Sequence, residues 1–125
     1  MAIEDPSPDV ADPARVAAIR ALGLLDTLPE EVFDRMTRLA ASIIGVPASF
    51  ISLVDADRDF YKSHAGMPEP LATERELRGR TFCHYTLHSG EPLALDDVEN
   101  MPGYQDVATV KTLGVRAYLG VPMRT

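Results

Sequence analysis

The chain has 125 residues, 46% of them apolar and 25% charged, with a formal net charge of −7 and one cysteine. Length and balance describe one soluble globular domain. The acidity argues against nucleic acid or an anionic membrane face as partner, and is read as a solubility feature. The lone thiol excludes an internal disulfide and a zinc site built on several thiolates, which fits a reducing compartment. No apolar run reaches the roughly 20 residues that span a bilayer. The acidic start Met1-Ala2-Ile3-Glu4-Asp5 lacks the basic and apolar regions of a signal peptide. A cytoplasmic protein is expected.

Residues 1–11, rich in Asp and Pro, predict a disordered leader, with the folded domain at 12–125. Asp12 and Pro13 open a helix that runs to about Leu22, and Gly23 stops it. Thr27-Leu28-Pro29-Glu30 has the spacing of a capping box and predicts a second helix to about Ile44, closed by Gly45. Val32, Phe33, Met36, Leu39, Ala40 and Ile43 recur at three and four, the pattern of a buried face. Glu31 with Arg35, and Asp34 with Arg38, read as solvated i, i+4 pairs.

A strand follows at Ala48 to Val54. It is apolar on both faces, so a central strand is expected. Asp55 to Arg58 reads as a turn into a hairpin partner at Asp59 to Ser63. Asp55 and Asp57 lack the Gly and distal Glu of a calcium loop. Thr73 to Arg80, mixed in charge, predicts a mobile connection over a site. Phe82 to Leu87 predicts a short helix capped by Thr81, and Pro92 to Leu95 a third strand. Asp106 to Thr112 predicts a helix ended by Gly114. Val115 to Val121 alternates, with Arg116 and Tyr118 opposite an aliphatic face. Helices, then strands with helical excursions between them, describe an α+β fold with an antiparallel sheet.

The order of these words resembles a GAF domain, the sensory module found at the N-terminus of bacterial signalling proteins. The words are Ala21-Leu22-Gly23-Leu24-Leu25-Asp26-Thr27, Glu31-Val32-Phe33-Asp34, Ile51-Ser52-Leu53-Val54-Asp55, Asp57-Arg58, Phe60-Tyr61-Lys62-Ser63, Phe82-Cys83, Glu91-Pro92-Leu93 and Tyr118-Leu119-Gly120-Val121-Pro122. The resemblance implies a central antiparallel sheet with helices on both faces, and a ligand enclosed between the sheet and residues 75–107. It also implies that the final strands and the C-terminal helix of the family domain are missing. The last strand would then lack a neighbour, so self-association is expected there. Members of this subset often carry His two residues after the cysteine. That position is Tyr85 here, and the His stands next to the cysteine as His84.

The expected pocket wall is Phe82, Cys83, Tyr85, Asp97, Tyr104, Arg116 and Tyr118, around a small molecule whose identity the sequence does not reveal. No catalytic residue, metal ligand or cofactor is assigned. Cys83 and His84 point about 100° apart on a helix and cannot form a nucleophile–base pair. One cysteine cannot complete a redox cycle that needs a resolving thiol. Two further functions stand beside ligand sensing. One is a bilin photoreceptor attached through Cys83, and the other is an interaction or dimerisation module with no small ligand. A kinase, cyclase or phosphatase output domain in a longer protein, and a homodimer, complete the expected partners.

Overall fold

The computed structural model describes residues 4–124. Two short helices come first. Helix α1 spans Ser7–Val10, and α2 spans Pro13–Ala21 with the Asp12 carboxylate accepting from Ala14 N. Helix α3, Glu31–Ile44, ends on Gly45 at φ 77°, a left-handed closure that glycine adopts without strain. Strands β1 (Ser49–Val54) and β2 (Arg58–Ala65) form the expected hairpin. Helix α4 (Leu71–Glu74) and strand β3 (Glu76–Arg78) follow, then α5 (Phe82–Ser89), β4 (Leu93–Leu95), a 3₁₀ turn at Val98–Asn100, α6 (Ala108–Leu113) and β5 (Tyr118–Gly120). The fold is α+β with every strand pair antiparallel.

The strands lie in two sheets, β1-β2-β3 and β4-β5. β2 is therefore the middle strand of the larger sheet, and β1 is at its edge, contrary to the expectation from its apolar faces. The apolar core divides as well. Phe82, Tyr85, Leu95, Val98, Tyr104 and Val107 form one cluster, and Tyr61, Leu71 and Leu77 another. Residues 73–80, expected to be mobile and unburied, contain β3 paired on β2 and bury Leu77. The leader also differs from expectation. Within residues 4–11, α1 lies against α5 and buries Val10 and Pro6.

The pairing of β1 with β2 passes from Ile51↔Ser63 to Ser52↔Tyr61, so Lys62 has no opposite residue. This bulge turns Lys62 and Ser63 toward the same side. Lys62 is fully buried, and its Nζ donates to Thr27 Oγ1 and Leu28 O at 2.7 Å each. It also pairs with Glu30 at 2.5 Å and lies over the Phe33 ring. Arg75, in a left-handed conformation, donates to Thr27 O, Tyr61 O and Lys62 O. Arg58 grips the Asp26 carboxylate with both terminal nitrogens, at 2.8 and 2.7 Å. Three cations thus tie the α2–α3 connection to the sheet.

These contacts explain the departures around α3. Thr27 does not cap it, because its hydroxyl donates to Leu24 O and accepts from Lys62; the helix starts at Glu31. Asp34 is not a solvated partner of Arg38. Its carboxylate accepts from Ser63 Oγ at 2.6 Å, and Ser63 Oγ also meets Thr37 Oγ1 at 2.8 Å. Arg38 pairs with Glu31 instead. The helix therefore meets the sheet with a polar side. Of the expected buried face, Val32, Met36, Leu39 and Ile43 are all more than half exposed, as is Leu28 before them. Phe33 and Ala40 are only partly covered.

Replacing Lys62 by Met keeps the aliphatic length but leaves Thr27 and Leu28 without their donor. Glu30 is half-exposed and regains water, so the loss comes from the two part-buried hydrogen bonds and amounts to about 1–2 kcal/mol. Urea unfolding of the Lys62→Met chain should show this as a lower midpoint at unchanged slope.

Candidate functional site

Strand β2 turns Asp59 and Tyr61 to the opposite side from Lys62, toward α5. Asp59 is fully buried. Its Oδ2 accepts from Thr81 Oγ1 at 2.6 Å, and its Oδ1 lies 3.0 Å from His84 Nε2. The expected Thr81 cap is not formed, because that hydroxyl is spent on Asp59; Phe82 N instead donates to Thr109 Oγ1. The His84 side chain is only 12% exposed. A buried carboxylate accepts only, so Nε2 carries a proton in this contact.

The next residue along α5, Cys83, faces β5. Tyr118 Oη lies 3.7 Å from Cys83 Sγ and 3.1 Å from Thr86 Oγ1. Burial pushes the Cys83 thiol up to about 12, and the nearby Asp59 charge adds to this. Burial likewise raises Tyr61 and Tyr118. The thiol and both phenols are neutral at physiological pH, so the cluster holds no thiolate nucleophile. Asp59 lies near both Cys83 and His84, but its 3.0 Å contact is with His84, while the thiol meets Tyr118. The Ser52 hydroxyl, on β1, is buried beside the Cys83 thiol, a weak hydrogen-bonding neighbour, and has no stronger partner among the described residues.

Of the expected wall residues, the structure joins Phe82, Cys83, Tyr85, Tyr104 and Tyr118. The rings of Phe82 and Tyr104 pack edge to face at 5.8 Å, as do Tyr85 and Tyr104 at 5.3 Å, and Phe82 lies 5.2 Å from Tyr118. Asp97 and Arg116 lie on the surface, the first holding Asn100 and the second 3.4 Å from Glu99. Tyr118 reaches the cluster by folding back across Gly120: a Cβ there would stand 2.2 Å from Tyr118 Oη and 2.6 Å from Thr86 Oγ1. The Tyr118 ring occupies the space beneath α5. Two open clefts lie elsewhere, toward the leader, and neither is lined by these aromatic residues.

Sequence reasoning missed Asp59, Thr81 and Ser52, and gave His84 no partner. One signal was available. An aspartate inside the strand Arg58-Asp59-Phe60-Tyr61 stands at the same parity as Tyr61, so a polar group must be buried wherever that tyrosine is. Among the described residues, no group of three or more His, Cys, Asp or Glu side chains is placed to hold a metal ion. No helix among them is long and apolar enough to cross a membrane.

The GAF domain family model matches residues 28–125, and the chain belongs to the GAF domain family. The resemblance read from the sequence words is thereby borne out, and with it a signalling, regulatory role. The cyclic di-GMP phosphodiesterase PA2567 of Pseudomonas aeruginosa is 26% identical over 113 residues, which is 90% of this chain and 19% of that protein. The chain thus spans about a fifth of the curated relative it matches.

The raised thiol makes a direct prediction. At pH near 8 a group at about 12 holds roughly three orders of magnitude less thiolate than one at its ordinary 9.0. A thiolate of higher pKa is also more nucleophilic, which offsets about half of these orders of magnitude, so Cys83 in the folded chain should react with a disulfide reagent at least about tenfold more slowly than in urea. Gly120→Ala should speed the reaction, because the added methyl displaces Tyr118 and uncovers the sulfur. Equal rates in the folded and unfolded wild-type chain would remove the case for a protected thiol.

Proposed function

We propose that this GAF domain is a non-enzymatic sensor that binds a small molecule between its sheet and residues 75–107. The observation that carries the reading is the buried Ser52 hydroxyl, which among the described residues has only the weakly bonding Cys83 thiol beside it, close by the Thr86–Tyr118 pair. An unsatisfied buried polar atom is costly and gains from a ligand that bonds to it. Tyr118 is the side chain a ligand would displace, since Gly120 leaves it room to swing without disturbing a neighbouring Cβ. Phe82, Cys83, Tyr85 and Tyr104 then line the vacated space, and Asp97 and Arg116 serve its rim. Binding shifts the population of Tyr118 and α5 positions, and the shift passes to an attached output domain. The similarity to a cyclic di-GMP phosphodiesterase supports an output of the cyclic-dinucleotide signalling class, carried by a longer protein in the cytoplasm.

The second part of the proposal is a homodimer. Leu28, Val32, Met36, Leu39 and Ile43 form an exposed stripe along α3. Such a contiguous apolar surface marks an interaction site. The start of the helix is acidic at Glu30 and Glu31, and its middle is basic at Arg35 and Arg38. Antiparallel pairing of two copies sets unlike charges against each other and makes the contact isologous. The stripe is larger than the exposed Leu119 and Val121 beside β5, so α3 is the better support for self-association than the strand edge.

A thermal-shift screen against nucleotides, cyclic dinucleotides and common metabolites tests the sensor. A true ligand at 100 times its Kd stabilises by about 2.7 kcal/mol, and Ser52→Val should diminish that shift. A screen without a stabilising compound on the full-length parent favours the interaction module. Sedimentation tests the dimer. Leu39→Glu should leave stability within about 0.5 kcal/mol, because the side chain is exposed, and should convert a dimer to monomer. A wild-type chain that sediments as a monomer at high concentration overturns this part.

A further inference from the structure

The leader holds α5 by contacts that ligand sensing does not require. At its far end, Arg15 Nε and Nη2 both donate to Val10 O, while Nη1 donates to Val54 O at 2.7 Å, so one guanidinium ties the end of α1 to β1. At its near end, His88 in the last turn of α5 stands between two leader carboxylates. Nδ1 is 2.5 Å from Asp9 Oδ2, and Nε2 is 2.5 Å from Glu4 Oε2. A neutral imidazole has one N–H and can satisfy one carboxylate; only the imidazolium donates to both. Beside α1 lies a cleft of about 280 Å³. Ser7, Val10 and Ala11 form its leader wall, Asp57 and Arg80 stand on the other side, and His84, the partner of Asp59, also lines it.

We propose that residues 4–11 are a strap, latched by protonated His88, that closes the cleft over the Asp59–His84 pair and is freed when His88 loses its proton. The hydrogen bonds with Glu4 and then Asp9 raise His88 above its ordinary value of 6.5. A raised histidine contributes its grip fully below the ordinary value and loses it as pH rises through the raised one. The latch therefore releases above pH 6.5 and not on acidification. The other charges near His88 are few. Asp5 on the strap adds to the negative side and faces Arg80, and Arg80 itself pairs with Asp106 at 2.8 Å. Arg124 binds Gly90 O just past α5, and His84 one turn earlier is held by Asp59. None of these offers His88 a competing acceptor. Release removes the Ser7–Val10–Ala11 wall, so the cleft opens on the side where His84 sits.

Nuclear Overhauser contacts between the Val10 methyls and α5, followed in the intact chain with the His88 Cε1–H shift, test the latch. From about pH 6 to about pH 9 both should change with one midpoint, above the ordinary histidine value. The equilibrium constant for docking should fall roughly fivefold across that range, the scale expected of partly exposed ion pairs. His88→Gln, which carries no titratable charge, should show weaker contacts and a flat pH profile, and Glu4→Gln with Asp9→Asn should flatten it likewise. Val10 contacts unchanged through the His88 midpoint overturn the latch. So does a pH dependence that persists in His88→Gln, which would place the titrating group elsewhere.

Discussion

The buried ammonium of Lys62 is the contact on which the arrangement of the helices depends. The connection between α2 and α3 is short, irregular and rich in backbone carbonyls that no helix or strand satisfies. Irregular backbone can be covered only if its polar groups find partners. Lys62 supplies donors to Thr27 and Leu28, Arg75 takes the Thr27 carbonyl, and Arg58 takes the Asp26 carboxylate. The Asp26 carboxyl is correspondingly lowered by Arg58, and Arg58 is raised. A lysine could not reach this position from a regular strand, where Tyr61 and Ser63 would flank it on the opposite face. The bulge at Lys62 makes the reach possible, so one extra residue in β2 sets where α3 lies.

That placement has a second effect. Because Lys62 and Ser63 both point to α3, the helix meets polar atoms and turns Asp34 and Thr37 inward. A helix has one face for the sheet, and here the polar residues take it. The apolar stripe is then left on the outside. The usual inference from periodicity, that the apolar stripe of an amphipathic helix marks the side packed against its own domain, fails for α3 because a buried charge and two hydroxyls outrank it. Satisfying buried polar groups is worth more than hiding leucines that tolerate partial exposure.

Much of the fold was legible where local chemistry acts alone. Asp12 with Pro13, Gly45 and Gly114 bound helices as expected, and the β1–β2 hairpin follows from its turn. The family emerged from the order of short words rather than from any one of them. What was not legible depended on long-range partners. Thr27 and Thr81 both look like caps, yet both are taken by charged side chains distant in sequence, Lys62 and Asp59. The leader reads as disordered by composition, but Pro6 and Val10 find a surface on the folded domain. β1 reads as central because both faces are apolar, while the strand order is fixed by pairing that sequence periodicity does not encode. Within the candidate site, the aromatic residues were identifiable from their grouping near Phe82. The buried acid that organises α5 was hidden inside a strand word that looked merely structural.

In the proposed sensor, β2 is the element that both sides share. On one face Asp59 holds Thr81 and His84 of the α5 region, and Tyr61 lies beneath Cys83 and Tyr118. Three residues later, across the bulge, Lys62 and Ser63 hold α3 and the connection before it. A change in α5 that moves Asp59 acts on a strand whose neighbouring residues are fixed by charged hydrogen bonds, so it cannot be absorbed by a slack contact. Displacement must either break Asp59–His84 or shift β2 relative to α3. Coupling through a shared strand requires no chain of side chains between the two faces. It does require that the strand stay stiff, and the paired β1 and β3 on either side of β2 provide that. Helix α3, with its outward apolar stripe, is then the surface on which such a shift becomes visible to a neighbouring chain.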